Sequence, residues 1–347
     1  MDSHTNDLIN PKIYECQFIL NSIDITRIKL YADLLYMKSK ILITGGSGFL
    51  GTALLKNPSF NDALSVGRTP PNQGGKFLRI TLDAASDYTH ILSDIDIIVH
   101  VAARAHVMDE VSEDPLQEYR SINTLATLNL AKQAANKGVK RFIFISSIKV
   151  LGENTERDSP FTADCPFNPQ DPYSISKAEA EIGLLKLAKN TNMQVVIIRP
   201  PLVYGKGVKG NFAKLLKLTS LSIPLPLASI KNKRSMVSIE NLVSLITTCL
   251  VHPNAANEVF LVSDDCDLST PELLNLIAKT GGFRSIVFRF PKNLFRIFLR
   301  CVGKMGLYHR LCGSMQVDIT HTKNQLEWVP LFSPEDCIKN CWHEKGA

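Results

Sequence analysis

The feature that most constrains the fold of this chain is a series of short, uninterrupted apolar runs separated by longer segments of helical spacing. The runs are rich in Val, Ile and Phe without polar alternation, which is typical of strands covered on both faces. Such strands belong to parallel sheets with helices on each side. The sequence therefore predicts an α/β fold with a doubly wound parallel sheet, a Rossmann fold. Its strands include 40–44, 63–66, 96–102, 141–146 and 195–199.

A glycine-rich segment follows the first of these strands. Gly45, Gly48 and Gly51 have the spacing GxxGxxG, and a helix is predicted after them. Glycines at such a turn let bare backbone approach a pyrophosphate, while the free N–H groups of the helix face the anion. Because strand, glycines and helix come in this order, the segment predicts a dinucleotide site rather than an ordinary tight turn.

The end of the second strand bears on which dinucleotide binds. NAD enzymes usually have an Asp or Glu there that binds the ribose 2′-hydroxyl, but this strand ends in Val66, Gly67 and Arg68. An arginine favours a 2′-phosphate, because its charge stabilises the additional anion. We therefore predict NADP(H) as the preferred cofactor, with NAD as the alternative. Asp83, in the segment that closes the third strand, is a predicted adenine contact.

The change of pattern beyond Pro200 predicts the domain organisation, since the regular alternation stops there. Met37 stands directly before the first strand and is the hypothesised natural start. Three parts are expected: an N-terminal extension, 1–37, which is either upstream translation that is not native or a loose appendage; a NAD(P)-binding Rossmann domain, 38–200, to which 235–263 return; and a substrate-binding lobe, 201–234 with 264–347.

Charge and cysteine content narrow the class of function. The net charge of +6 suits an anionic small molecule and requires no nucleic acid partner. The eight cysteines include no CxxC pair and no Cys/His cluster at zinc spacing, which predicts free thiols in a reducing compartment and no metal site. The sequence contains no apolar run of about 18 residues, the length needed to span a bilayer. The cytoplasm is the expected location.

The segment YSISK places Tyr173 and Lys177 four residues apart, on one face of a predicted helix. A phenol has a pKa near 10, and a neighbouring ammonium together with a nicotinamide cation would lower it toward neutral pH, where the phenol can act as an acid and a base. Ser147, at the end of the fifth strand, has a hydroxyl that could share the substrate oxygen. These three residues are the predicted catalytic group.

With these residues in place, the chain resembles the extended short-chain dehydrogenase/reductase family, which includes nucleotide-sugar epimerases, dehydratases and ketoreductases. The resemblance runs from about Lys38 to the C-terminus. It rests on the segments TGGSGFLG (44–51), HVAA (100–103), SSIKVLG (146–152), YSISK (173–177), RPPLVYG (199–205) and QVDITHTKNQLEW (316–328), and on the helix residue Asn123.

The resemblance implies roles for individual residues. Tyr173 would be the acid–base group, Lys177 its partner and a ligand of the nicotinamide ribose, and Ser147 a second hydrogen-bond donor to the substrate. Phe49 and Ala102 would join the glycines around the cofactor.

Further residues are assigned to the substrate by the same resemblance. Arg234 would bind the UDP phosphates, Asn211 would be a nucleotide-sugar contact, and Asn123 would be a buried residue that supports the site. Homodimers through two crossover helices are common in this family and are expected here.

Departures from the family pattern separate the activities. Dehydratases carry Asp-Glu after the hydroxyl residue, where this chain has Ile148 and Lys149, so a 4,6-dehydratase is not expected. Epimerases typically have the acidic residue that is missing after the second strand, and many have an Asn where this chain has Leu202. Because both Tyr173 and Lys177 are present, a non-enzymatic dinucleotide sensor is disfavoured.

Within the family, three segments together resemble those of bacterial UDP-N-acetylquinovosamine dehydrogenases: RPPLVYGKGVKGNF (199–212), KRSMVSIENL (233–242) and FLVSDDCDLSTPELL (260–274). This similarity implies an NADPH-dependent 4-ketoreductase of a UDP-4-keto-6-deoxy-N-acetylhexosamine. Its product, UDP-N-acetylquinovosamine or a related sugar, would serve bacterial surface polysaccharide synthesis, of the O-antigen or lipopolysaccharide type. The alternative is a 4-epimerase of a UDP-hexose, either UDP-glucose or UDP-GlcNAc.

A basic, amphipathic segment spans 292–304. Its positive stripe consists of Lys292, Arg296, Arg300 and Lys304, and its other face carries Leu294, Phe295, Phe298 and Val302. The expected structure is a helix of the substrate lobe that packs this apolar face inward and solvates its charges. Contact with an anionic membrane surface and attraction of the UDP-sugar are the alternatives.

Overall fold

The computed structural model describes residues 40–105, 113–156 and 158–342, and the predicted extension 1–37 lies outside these ranges. The strands are β1 (Ile41–Thr44), β2 (Leu64–Gly67), β3 (Phe77–Arg79), β4 (Ile97–His100), β5 (Arg141–Ile145), β6 (Gln194–Arg199), β7 (Leu202–Tyr204), β8 (Met236–Ser238) and β9 (Val259–Leu261). Within the described ranges, seven parallel strands form the central sheet in the order β3-β2-β1-β4-β5-β6-β9.

This strand order is that of a Rossmann fold, so the predicted doubly wound parallel sheet is confirmed. The order reverses between β1 and β4, and ligands of such sheets bind outside the carboxyl ends of the strands at this point. The predicted strand ends differ from the observed ones by one or two residues. Asp83 is a larger departure, because it lies in the loop after β3. Strand β3 is at the edge of the sheet and pairs only with β2 among the described strands. Because β2 ends at Gly67, opposite Arg79, β3 has no strand to pair with beyond Arg79 and ends there.

Helices cover both faces of the sheet. They are α1 (Phe49–Lys56), α2 (Thr89–Leu92), α3 (Pro115–Tyr119), α4 (Thr127–Asn136), α5 (Pro172–Asn190), α6 (Gly210–Ser220), α7 (Ile239–Val251), α8 (Thr270–Gly281), α9 (Lys292–Cys301), α10 (Met305–Cys312), α11 (Thr320–Leu326) and α12 (Pro334–Asn340). A π-helical turn, Arg120–Ala126, joins α3 to α4. Short 3₁₀ helices lie at Pro58–Phe60, Ile148–Val150 and Pro253–Ala255.

The main core lies between the sheet and helices α4 and α5. Leu42, Ile98 and Phe142 from adjacent strands pack there against Leu130 of α4 and Leu184 of α5. Helices α1 and α7 pack together, and α7 also contacts β5. Because helices pack on both faces of β1, β4 and β5, the loops after these strands are anchored at the carboxyl ends of the strands.

A smaller group of elements packs around two further apolar clusters. Strand β7 pairs with β8, and Tyr204 stacks on Phe212 of α6. Leu274 of α8 packs against Leu227 and Ile230. These elements lie largely in the ranges predicted for the substrate-binding lobe, and the domain boundaries themselves stay a prediction.

The basic segment corrects one expectation. Helix α9 ends at Cys301, and only Phe295 and Leu299 of its apolar side chains are buried. Leu294, Phe298 and Val302, expected to pack inward, are exposed, because the neighbouring cluster contacts a single seam of the helix. In the described part of the chain, no helix has both the length and the apolar character needed to cross a bilayer.

Candidate active site

The glycine turn between β1 and α1 is shaped for close approach. Gly45 has φ +76°, and a Cβ atom on it would lie 2.9 Å from the Cα atom of Ala102. A Cβ atom on Gly51 would lie 2.2 Å from the carbonyl oxygen of Gly45. Side chains are therefore excluded on both sides of the turn, so that bare backbone lies at the carboxyl end of β1.

The N-terminus of α1 faces the same space. Gly48 is its N-cap, and in the described structure this end has neither a side-chain cap nor an acidic residue in its first turn. Free N–H groups at such a helix end favour an anion, so the turn and helix fit the pyrophosphate of a dinucleotide. Phe49, the first residue of α1, is half-buried.

A buried polar network fixes β1 against β4 beneath this turn. The Thr44 hydroxyl accepts the N–H groups of Val101 and Ala102, both at 3.1 Å, and lies 3.0 Å from Nδ1 of His100. The other ring nitrogen of His100 lies 2.9 Å from the Thr127 hydroxyl. Burial, aided by the charge of Lys177, lowers the pKa of His100 to about 3, so the ring is neutral. Ala102, a predicted cofactor contact, is thus held in place by the hydrogen bond from its backbone N–H to Thr44.

The other predicted cofactor residues lie near β2 and β3. Arg68 is exposed directly after β2, whose end adjoins the glycine turn through the hydrogen bond from Gly45 N–H to the Val66 carbonyl, 3.1 Å. The Asp83 carboxylate accepts the N–H groups of Ala85 and Ser86 at 2.8 and 2.7 Å. It therefore stabilises a local turn, and its contact with adenine stays a prediction.

The start of α5 positions the predicted catalytic pair. Asp171 is the N-cap and forms a capping box with Ser174, and Pro172 occupies the first turn. Tyr173 consequently lies in the first turn and Lys177 one turn later. Lys177 is only 1 % exposed.

Two contacts fix the buried Lys177 ammonium. Its Nζ atom donates to the carbonyl of Ile145, the last residue of β5, at 2.8 Å. The same atom lies 4.4 Å from the centre of the Phe144 ring. The Lys177 ammonium is thus held at Ile145, which lies two residues before Ser147 in the chain.

Ser147 and Tyr173 are brought together across this end of β5. Their side chains are hydrogen-bonded, and the Ser147 hydroxyl also accepts the Lys149 N–H at 3.3 Å. Burial, with the negative charge of Asp171, raises the pKa of Tyr173 to about 12, and the hydrogen bond to Ser147 opposes this rise. The Tyr119 ring lies edge-on to the Tyr173 ring, with 6.2 Å between the ring centres.

The expected lowering of the Tyr173 pKa by Lys177 is not found in the protein itself. Burial lowers the pKa of Lys177 to about 7, so the ammonium is itself disfavoured in this environment. Its hydrogen bond to Ile145 also directs it toward the backbone. The phenol therefore keeps its proton at neutral pH.

A buried ion pair lies beneath the site, and it was not predicted from the sequence. Arg199, at the end of β6, donates to Glu181 of α5, with a shortest distance of 2.7 Å, and both side chains are almost fully buried. Glu181 also accepts a hydrogen bond from Ser146, the neighbour of Ser147. Glu181 lies four residues after Lys177 on the same helix face. A carboxylate at that spacing in a buried helix is the signal that could have identified it.

Asn123 is fully buried in the π-helical turn, as the resemblance implies. Its side chain accepts the Arg104 N–H at 2.8 Å and donates to the Arg104 carbonyl at 3.1 Å. It also donates to the Ser176 hydroxyl at 3.0 Å. Asn123 thus joins the loop after β4 to α5. π-Helical turns are often found at functional sites.

Arg234 lies on a segment that is linked to the loop after Ser147. Thr155 N–H donates to the Ser314 carbonyl at 2.9 Å, and Ser235 N–H donates to the Met315 carbonyl at 2.8 Å. The Arg234 guanidinium donates to the Gly313 carbonyl at 3.1 Å and to that of Arg310 at 3.3 Å, and burial lowers its pKa. Its binding of UDP stays a prediction.

Asn211, the other predicted substrate contact, is exposed near the start of α6. The structure therefore joins Ser147, Tyr173 and Lys177 into one group. It places Arg234 on an adjoining segment, and it shows no contact that ties Asn211 to that group among the described residues.

Known proteins resemble this chain over most of its length. A profile of the NAD dependent epimerase/dehydratase family matches residues 41–263. A UDP-glucose 4-epimerase from Vibrio cholerae is 47 % identical over 300 residues, which cover 85 % of this chain and 92 % of that protein. An N-acetyl-α-D-glucosaminyl-diphospho-ditrans,octacis-undecaprenol 4-epimerase from Escherichia coli O157:H7 is 29 % identical, covering 82 % of this chain and 88 % of that one.

The fold also matches solved structures. A UDP-glucuronic acid 4-epimerase from Bacillus cereus, solved in complex with NAD, superposes with a TM-score of 0.68. The match covers 88 % of this chain and 97 % of that one at 22 % identity, which supports the fold.

Proposed function

The chain belongs to the NAD-dependent epimerase/dehydratase family, and from that premise we propose that it is a 4-epimerase of a UDP-hexose. The observation that carries this proposal is the 47 % identity with a UDP-glucose 4-epimerase across 85 % of the chain. The epimerase thereby replaces the 4-ketoreductase as the leading function. Since the two named relatives act on glucose and N-acetylglucosamine derivatives, the proposed substrates are UDP-glucose and UDP-GlcNAc.

The residues at the end of β5 support epimerisation at C4. The reaction needs a group that takes the proton of the 4-hydroxyl and later returns it. The Tyr173 phenol, hydrogen-bonded to Ser147, is proposed for this role. Its raised pKa keeps the phenol protonated at neutral pH in the protein alone. To take the proton of the 4-hydroxyl, the phenol would need the lower pKa that the positive charge of a bound oxidised nicotinamide would give it. The phenol, once protonated, would return the proton to the sugar oxygen. A bound nicotinamide dinucleotide supplies reversible hydride transfer at C4.

Arg234 is the proposed contact for the UDP diphosphate. Its guanidinium is half-buried and donates to backbone carbonyls. Among the described residues no carboxylate pairs with it, so its full charge is available to a phosphate. Asn211 is proposed as a second, exposed contact to the nucleotide sugar.

For the cofactor we propose a preference for NADP(H). The Arg68 side chain is exposed beside the glycine turn and has no ion-pair partner in ranges 40–105, 113–156 and 158–342. Its charge is therefore available to a 2′-phosphate. NAD, which the Bacillus cereus structure contains, is the alternative.

The second candidate is the NADPH-dependent reduction of a UDP-4-keto-6-deoxy-N-acetylhexosamine. Two observations favour it: Gly67 and Arg68 occupy the end of β2, where an acidic residue would suit NAD, and Leu202 begins β7 in place of an Asn. In this reaction Tyr173 would donate its proton to the C4 oxygen in one direction only.

We also propose a homodimer through the π-helical turn and α5, which pack side by side. Leu125 and Ile182 on these elements are 45 % and 55 % exposed, and such apolar side chains favour a protein contact. The cytoplasmic location and the role in surface polysaccharide synthesis stay predictions.

One assay separates the two activities. The purified protein is incubated with UDP-glucose, UDP-GlcNAc or a UDP-4-keto-6-deoxy-N-acetylhexosamine. The two UDP-hexoses are each given NAD⁺ or NADP⁺, and all three sugars are given NADPH or NADH. Products are identified by NMR while nicotinamide absorbance is followed. An epimerase converts the UDP-hexoses to their C4 epimers without net oxidation of the added cofactor. Stoichiometric loss of NADPH with the keto sugar alone would establish the reductase instead. No turnover of any of these sugars would contradict both.

A further inference from the structure

Helix α9 exposes most of its apolar surface. Leu294, Ile297 and Phe298 are 53 %, 56 % and 60 % exposed, whereas Phe295 and Leu299 are 8 % and 4 % exposed. The buried pair packs against Leu227, Ile230 and Leu274 of the neighbouring cluster. The fold therefore uses one seam of the helix and leaves the rest of its apolar side chains facing outward.

The outward side of α9 is divided into two halves. At 100° per residue, Ile297, Leu294 and Phe298 lie together on one side of the helix. Arg296 and Arg300 lie together on the other, between these residues and the buried seam, and both are exposed. Val302, directly after the helix, is 48 % exposed and continues the apolar half. We name the side chains Leu294, Ile297, Phe298 and Val302 the α9 face.

A second exposed apolar ribbon belongs to the same lobe. Residues 284–289 run beside Leu225, whose N–H donates to the Ile286 carbonyl at 2.8 Å. Val287 packs into the cluster that buries Phe295, whereas Ile286 and Phe288 are exposed. The apolar surface of this lobe is therefore not confined to the helix.

The segment that carries both apolar surfaces has Lys and Arg residues but no Asp or Glu. From Leu273 to Val317 there are eight basic and no acidic residues. Lys279 pairs with Glu335. The other seven, Arg284, Arg289, Lys292, Arg296, Arg300, Lys304 and Arg310, form no ion pair within the described part of the chain. An occupant of this surface must therefore offer both apolar depth and negative charge.

We propose that the α9 face docks on the surface of an anionic lipid bilayer. The apolar half would enter the boundary between headgroups and acyl chains, and the arginines beside it would reach the lipid phosphates. A second copy of this chain is disfavoured, because an isologous contact would bring the same uncompensated arginines against each other. The surface adjoins the proposed substrate site, since Arg234 donates to the carbonyl of Arg310 in α10.

The experiment measures co-sedimentation of the full chain with vesicles. One set contains phosphatidylcholine and phosphatidylglycerol, and the other contains phosphatidylcholine alone. We compare the wild type with Ile297→Gln/Phe298→Gln and with Arg296→Gln/Arg300→Gln. The matched control is Leu331→Gln/Phe332→Gln, which changes two residues of similar exposure, 64 % and 45 %, outside the basic segment. Circular dichroism and thermal unfolding check that each variant is folded.

We expect the wild type and the control to bind the vesicles that contain phosphatidylglycerol and not to bind those of phosphatidylcholine alone. Each α9 variant should bind about tenfold more weakly, because it loses either apolar insertion or attraction to the headgroups. A wild type that stays in the supernatant, or a control that loses binding equally, overturns the proposal. Self-association that Ile297→Gln/Phe298→Gln abolishes, without vesicle binding by the wild type, would assign the face to a protein contact and also overturn it.

Discussion

The site at the end of β5 and the basic segment from Leu273 to Val317 use charged side chains in opposite ways. At the site, Lys177, Glu181 and Arg199 are almost fully buried, and each is held by a fixed partner. In the basic segment, most cations are exposed and lack an ion-pair partner among the described residues. A buried charge is tolerated only with such partners, so it fixes geometry. An exposed cation costs little and stays available to an anion.

The largest difference between the two regions should appear when one cation of each loses its carboxylate partner. Glu181→Ala leaves the buried Arg199 guanidinium without its counter-charge, and we expect the free energy of unfolding to fall by about 3–5 kcal/mol. Glu335→Ala removes the partner of exposed Lys279 and should cost no more than about 1 kcal/mol. Chemical denaturation measures both, and equal losses would break the distinction.

The ionisation of Lys177 should give the next largest effect. Burial lowers its pKa to about 7 from 10.5 in the unfolded chain. Between these values the unfolded state binds more protons, so this residue makes the free energy of unfolding rise with pH. Relative to Lys177→Met, the wild type should gain about 2 kcal/mol between about pH 7.5 and about pH 9.5.

The exposed Lys304 of the basic segment provides the control for this pH dependence. Denaturation of Lys304→Met at the same two pH values should show the wild-type rise. If Lys177→Met keeps that rise as well, Lys177 does not titrate as a buried group.

The smallest expected effect concerns the exposed cation beside the glycine turn. Arg68→Ala should weaken NADP binding about tenfold, equal to about 1.4 kcal/mol, and leave NAD binding unchanged, because only the 2′-phosphate loses a partner. Fluorescence titration measures both affinities. Arg284→Ala, in the basic segment, is the matched control and should change neither. An equal loss for both dinucleotides would remove the reason to assign Arg68 to the 2′-phosphate.

Much of the fold follows from local sequence, because its signals lie within a few residues of one another. The uninterrupted run at 141–146 predicts a strand covered on both faces, and β5 is such a strand. The spacing of Tyr173 and Lys177 similarly predicts their shared helix face. These patterns depend on the periods of strands and helices, which tertiary contacts leave unchanged.

The parts that could not be predicted depend on contacts distant in sequence. The pairing of Glu181 with Arg199 follows only from the packing of α5 on β6. The pKa of Tyr173 is set mainly by burial, which the Tyr–Lys spacing does not reveal. In α9 the helical period shows which side chains share a face, but whether that face is covered depends on the neighbouring cluster.

The ketoreductase prediction rested on single positions such as Arg68 and Leu202. Each of these reports on one contact only, whereas the 47 % identity with a UDP-glucose 4-epimerase extends over 300 residues. This is why the comparison with relatives favours the epimerase although the individual departures favour a reductase.

Replacement of the Tyr173 hydroxyl tests the central claim most directly. The conversion of UDP-glucose and UDP-GlcNAc to their C4 epimers is measured for the wild type and for Tyr173→Phe, with UDP-sugar binding followed by calorimetry. We predict that the wild type converts at least one of these sugars and that Tyr173→Phe binds it equally well but converts it about 10²–10⁴-fold more slowly, the usual contribution of a positioned acid–base group. Unchanged turnover in Tyr173→Phe would contradict the account.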